Sequence, residues 1–188
     1  PSVIPPPYNT EKNFNKFLED EGPRRRLLDL VIDGRHIAID INKNPTTRYH
    51  ILIIPEPENE YVQYFNEVAL DTMLIIRRLS KSARLKLGFN PWGGLASVNH
   101  LHLQGNYYDE VMPLEDTDRR IEFRAMGTDV YTLVSYPASL CGFEIDRENK
   151  FSRPFLTAVQ LLQKEDISHP ISMLGNFVYI RPEVVRTN

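Results

Sequence analysis

The stretch Gly93–Gln104, GGLASVNHLHLQ, constrains this chain more than any other. It opens on adjacent glycines, which free two backbone positions from side-chain hindrance. Polar and apolar residues then alternate. Successive side chains of a strand point to opposite faces. The alternation therefore predicts a strand from Ser97 to Tyr107, with His100, His102 and Gln104 on one face and Leu101 and Leu103 on the other. The leucines belong to a core, which leaves two imidazoles and an amide in a row on the polar side.

Other segments supply the sheet that such a strand needs. Arg35–Asn42 alternates around Ile37 and Ile39 and predicts a strand. Asn42–Thr47 is a loop punctuated by Pro45, and His50–Ile54 is a β-branched, apolar strand that stops at Pro55. Further short strands are predicted over Leu85–Phe89, Ile121–Arg124, Tyr131–Tyr136, Gly142–Ile145 and Phe177–Ile180. Between Tyr61 and Ser82 apolar residues recur at three and four positions, which predicts one long amphipathic helix. Phe155–Lys164 predicts a second, shorter one. Strands joined by short turns, with a helix between, imply an α+β fold on a mainly antiparallel sheet.

With 188 residues, 41% hydrophobic and 25% charged, the chain has the composition of one globular domain rather than of a disordered polymer. The proline-rich start predicts an extended arm over residues 1–26, ahead of a folded domain over 27–188. The basic cluster Arg24-Arg25-Arg26 reads as a solvated turn. A net charge of −3 gives no global attraction to nucleic acid, so an anion site would have to build its own local field. No apolar run approaches the length of a membrane span. A single cysteine, Cys141, can neither pair internally nor build a thiolate zinc site. The expected setting is a reducing, cytoplasmic one without membrane or nucleic-acid partners.

Histidines at i and i+2 on a strand admit three readings. They can be part of a polar outer face, or two ligands of a metal, although His36, His50 and His169 stand in no obvious ligand spacing. They can also be catalytic. A neutral imidazole is a good nucleophile near pH 7, provided its second nitrogen is held by an acceptor such as a backbone carbonyl. A neighbouring histidine and glutamine then hydrogen-bond phosphate oxygens as charge moves. Glycines upstream let backbone N–H groups approach an anion.

The pattern His100-x-His102-x-Gln104 resembles the signature of the transferase branch of the histidine-triad (HIT) superfamily, in which glutamine replaces the third histidine. The longer run Gly88–Tyr108, GFNPWGGLASVNHLHLQGNYY, resembles the active-site segment of the GDP-hexose phosphorylases, the animal GDP-D-glucose and plant GDP-L-galactose enzymes. Ala38–Pro55 resembles the strand–loop–strand of the nucleoside pocket, and Asn13–Lys16 a short motif near the start of the family.

The resemblance implies a HIT-like fold and a cofactor- and metal-free nucleotidyltransferase. It implies that His102 attacks the nucleotide phosphorus, that His100 supports it and that Gln104 contacts the transferred phosphate. Gly93, Gly94 and Ser97 fall where phosphates are contacted or admitted, Asn42 where the ribose hydroxyls are held, and His50 in the same pocket. Asn99 is expected to bond neighbouring backbone. The implied reaction converts GDP-glucose and inorganic phosphate to GDP and glucose 1-phosphate, in a protein that often forms homodimers. GGLASVNHLHL is closer to the GDP-D-glucose type than to the GDP-L-galactose type. Other expectations are a dinucleoside polyphosphate phosphorylase or nucleotide hydrolase of the same superfamily, a nucleotide-binding protein impaired in catalysis, and a zinc-binding structural domain.

Overall fold

A computed structural model of the chain describes residues 26–92, 94 and 96–183. The expected arm over residues 1–26, all but Arg26, lies outside the described residues, as do Gly93 and Leu95. Arg26 pairs with Asp29 and Asp40 rather than standing solvated.

Among the described residues ten strands form one sheet: β1 (Arg26–Ile32), β2 (Arg35–Ile41), β3 (Ile51–Pro55), β4 (Leu85–Phe89), β5 (Leu103–Tyr107), β6 (Arg119–Ala125), β7 (Thr128–Leu133), β8 (Cys141–Glu144), β9 (Ile171–Leu174) and β10 (Phe177–Ile180). Their order is β1-β2-β3-β5-β4-β9-β10-β8-β7-β6, and these pairings are antiparallel. Helices α1 (Glu67–Leu79) and α3 (Ser152–Lys164) have 13 residues each, and a single turn, α2 (Pro113–Asp116), follows β5. The architecture is the α+β fold with a mainly antiparallel sheet that the patterning predicts. Among the described residues no helix is long and apolar enough to cross a membrane.

Alternation along the strands assigns each face of the sheet its work. Ile37, Ile53, Leu87, Leu103, Ile171, Met173 and Val178 meet Ala69, Leu70 and Met73 of α1 and Phe155 and Val159 of α3 in one core. Each of these side chains larger than alanine contributes roughly 1.5–3 kcal/mol by leaving water. Phe65 stands edge-on to Phe89 and to Phe155, which joins the two helices at one end of the core. The other face carries a smaller cluster, Leu133, Leu140, Leu174 and Tyr179, capped by Leu114 of α2 and by Met112 just before it. Between that cluster and β3 the second face is polar, with Lys86, Gln104, Asn106 and Ser172 in neighbouring strands.

Several elements depart from the sequence reading. The long helix begins at Glu67 rather than Tyr61, because Asn66 caps it: the Asn66 Oδ1 accepts the Ala69 N–H at 3.0 Å. Residues 61–65 lie outside the helix despite their spacing, since their backbone is used elsewhere. The strand expected over Ser97–Tyr107 begins only at Leu103. His100, Leu101 and His102 are all buried, and Leu101 joins Leu103 in the core as expected, although the residues before Leu103 form no regular strand. β1 and β9 are additional strands. β1 is an edge strand whose Leu27, Leu28 and Val31 are exposed, a pattern without the clean alternation of a half-buried strand.

Candidate active site

The histidine segment is held by a stretch remote in sequence. Tyr61 accepts the Leu101 N–H at 2.6 Å through its backbone carbonyl. Gln63, fully buried, grips the next residue: its Oε1 accepts the His102 N–H at 2.8 Å, and its Nε2 donates to the His102 carbonyl at 3.1 Å and to that of Asn90 at 2.9 Å. Asn99 closes the arrangement, its Oδ1 accepting the Gln63 N–H at 3.0 Å. Asn99 thus bonds neighbouring backbone, as expected. Gln63 was not singled out in the sequence, where a lone glutamine carries no local signal. These bonds do for residues 99–102 what a ladder does for a strand. They orient the chain without making it regular.

The His102 ring has a defined tautomer. Its Nδ1 lies 2.7 Å from the His100 carbonyl, which can only accept, so Nδ1 carries the proton and the lone pair is on Nε2. Burial lowers the pKa of His102 more than the His100 carbonyl raises it, and the nearby His50 lowers it further. The ring is neutral at pH 7. Burial and the proximity of His102 push His100 down to about 4, so it too is neutral.

His50 joins this pair, although it lies at the head of β3. The Thr46 N–H donates to its Nδ1 at 3.1 Å, which places the proton of the neutral ring on Nε2. Gln104 hydrogen-bonds the same imidazole, and burial lowers the His50 pKa against that bond. Register explains the contact. Leu52 faces Gln104 across β3 and β5, and His50 is two residues back on the same face. Gln104 and three neutral histidines therefore share one site.

Asn42 sits beside them. Its Nδ2 lies 3.3 Å and 3.1 Å from the two ring nitrogens of His50, and its Oδ1 accepts the Asn44 N–H at 3.0 Å. Gly94 is buried and donates its N–H to the Pro91 carbonyl at 2.8 Å, closing a turn. A Cβ there would fall 2.5 Å from Ser168 Oγ and 2.7 Å from Pro91 Cγ, so close packing demands a glycine. Ser97 is exposed on the same loop, and Gly93 lies outside the described residues. The structure thus gathers His50, His100, His102, Gln104 and Asn42, with Gly94 and Ser97 on the adjoining loop.

Residues 10–106 match the family model described as "GDPGP1-like, N-terminal domain". GDP-D-glucose phosphorylase 1 of Danio rerio is 33% identical over 127 residues, which cover 67% of this chain and 35% of that protein. The Homo sapiens GDP-D-glucose phosphorylase 1 is 40% identical over 107 residues, covering 55% and 28%. GDP-L-galactose phosphorylase 1 of Arabidopsis thaliana is 30% identical over 110 residues, covering 57% and 24%. The matched part is thus about a third or less of the curated relatives' length. Yeast Ap4A phosphorylase Apa2, in complex with Ap4A, superposes with a TM-score of 0.55 at 15% identity over 79% of this chain and 57% of that one, a likeness of fold.

Proposed function

This chain belongs to the GDPGP1-like family, and from that premise we propose that it is a GDP-hexose phosphorylase acting on GDP-D-glucose. The observation that carries the reading is the His102 ring: neutral, with its proton anchored on Nδ1 by the His100 carbonyl and its lone pair on Nε2.

His102 Nε2 attacks the phosphorus next to guanosine. The bond from that phosphorus to the bridging oxygen breaks, and hexose 1-phosphate departs with the electron pair. Its phosphate oxygen is already a weak base, so no strong general acid is required. The product is a guanylylated His102. An oxygen of inorganic phosphate then attacks the same phosphorus, the P–N bond breaks, its electron pair returns to Nε2, and GDP leaves.

Gln104 and His100 are assigned the phosphoryl oxygens, where donors aimed at developing charge stabilise the transition state. Gln104 is suited to this because its amide is fixed by His50 on one side. Asn42 and His50 are assigned the nucleoside end, and the Gly93–Ser97 loop the phosphates. Both chemical steps are in-line displacements that need positioning more than covalent help from further residues. A reducing, cytoplasmic setting and a homodimeric assembly complete the proposal.

The test incubates the protein with GDP-glucose, with and without phosphate, beside His102→Ala. Phosphate-dependent release of GDP and glucose 1-phosphate, absent from the variant, is the expected result. Release of GMP without phosphate would assign a hydrolase instead. Absence of turnover on both GDP-glucose and GDP-L-galactose would defeat the reading.

A further inference from the structure

A cavity of about 240 Å³ lies on the polar face of the sheet, and Gln104 is on its wall. It runs from β5 across β4 to β9 and β10, on the side of Gln104 away from His50 and Asn42. Asn90, whose carbonyl is gripped by the same Gln63 that holds His102, lines it as well. The site's own residues therefore open onto it. Ligand pockets for drug-sized molecules measure about 300–1,000 Å³. This one is smaller, of a size for a single sugar and its phosphate rather than for a second nucleoside.

Its chemistry points the same way. Among the described residues, the formally charged ones on its wall are Lys86 and Arg181, both cationic, and no carboxylate lines it. Each cation has a carboxylate partner outside the cavity: Lys86 Nζ is 2.5 Å from Glu115, and Arg181 is 2.6 Å from Glu183. The partners orient the cations without placing negative charge in the cavity. Asn90, Asn106 and Ser172 add amide and hydroxyl groups suited to sugar hydroxyls.

Gly88 is the telling position. It pairs with Gln104 on one side and with Ser172 on the other, so it occupies the middle of the floor. Its φ is not in the left-handed region. A Cβ there would meet only the Ile171 carbonyl, at 3.7 Å, an ordinary van der Waals distance. Neither backbone conformation nor packing calls for glycine at this point. What the missing side chain provides is open space between Gln104 and Ser172.

We propose that this cavity is the subsite for the glycosyl phosphate, and that Gly88 keeps its floor clear for the sugar. The proposal rests on the phosphorylase reading above and gives that reaction's leaving group a location. Inorganic phosphate, the second-step acceptor, uses the phosphate end of the same subsite and does not need the room over Gly88.

Two isotope exchanges separate these demands. Labelled glucose 1-phosphate exchanging into GDP-glucose reports the sugar-bearing step, and labelled phosphate exchanging into GDP reports the other. Both pass through His102. In Gly88→Val the ratio of the first rate to the second is expected to fall at least tenfold, with Gly88→Ala intermediate. Ser172→Val, which fills the floor from the adjacent strand, is expected to shift the ratio in the same direction and decides the matter if Gly88→Val does not fold. An unchanged ratio, or a parallel loss of both exchanges in Ser172→Val, would overturn the subsite. Absence of both exchanges in the unmodified protein would overturn the phosphorylase reading instead.

Discussion

Gln63 holds His102 by both ends of its peptide backbone, accepting the N–H at 2.8 Å and donating to the carbonyl at 3.1 Å. The glutamine is fully buried, and the grip spans 39 residues of sequence. The same amide nitrogen also reaches the Asn90 carbonyl. One side chain thus fixes the proposed nucleophile relative to the loop that leads into its segment.

Replacing Gln63 with leucine keeps its bulk and removes these bonds. The His102 N–H and carbonyl would be left buried without partners, at about 1–3 kcal/mol each. We expect a loss of about 2–5 kcal/mol in denaturant unfolding. We also expect kcat to fall about 10–100-fold with KM changed less, since misplacement of the attacking atom is felt mainly in the transition state. Gln63→Glu keeps the acceptor and should recover part of both. A Gln63→Leu protein with unaltered kcat would show that His102 is positioned by other means.

Acid should act on this site before it acts on the carboxylates. His50, His100, His102 and His169 all have pKa values lowered by burial, His100 to about 4. The folded state then binds fewer protons than the unfolded chain below pH 6.5. The stability that these four contribute is full above that pH and is lost as pH falls from 6.5 towards 4, by about 3 kcal/mol from His100 alone once the fall is complete. In the same window kcat/KM should decline as His102 Nε2 is protonated, with a midpoint below 6.5. Thermal melts and initial rates from pH 4 to 8 test both. A midpoint at or above 6.5 would contradict a buried, neutral nucleophile.

Asn42→Asp places a carboxylate where the amide lies 3.1–3.3 Å from the His50 ring nitrogens. An opposite charge that close favours imidazolium. The His50 pKa should rise by about one unit or more, measurable from its ring proton shifts in an NMR titration. An unmoved titration would show that the carboxylate turns away from the ring.

Gly105 packs β5 against β3. A Cβ at this position would fall 2.7 Å from Ile51 Cγ1 and 3.0 Å from Cδ1. Gly105→Ala should cost about 1–3 kcal/mol by overpacking and should lower activity by displacing the adjacent Gln104. Ile51→Ala in the same chain should restore part of the activity, though not the full stability, because it removes buried carbon. A double variant no more active than Gly105→Ala would place the defect elsewhere.

Local order carried the sequence reading where burial follows a short period. Leu103 faces the core and Gln104 the open face as alternation requires, and β2, β3, β4 and β10 lie where strands are predicted. Leu101 reaches the core as well, but no regular strand extends back to Ser97. His100, Leu101 and His102 are enclosed together because Tyr61 and Gln63, not a neighbouring strand, hold their backbone. The start of α1 moved for the related reason that Tyr61 and Gln63 were committed to those bonds.

By itself the sequence pointed to the candidate site residues and determined the class of fold and the alternation of the central strands, because these rest on residue type and on contacts between near neighbours. Only the tertiary structure decided that Gln104 reaches the His50 imidazole, that Gln63 holds the His102 backbone and that Gly88 floors a cavity. Each of those is a contact between segments far apart along the chain. Such contacts depend on the order and register in which strands pair, and no local periodicity encodes that.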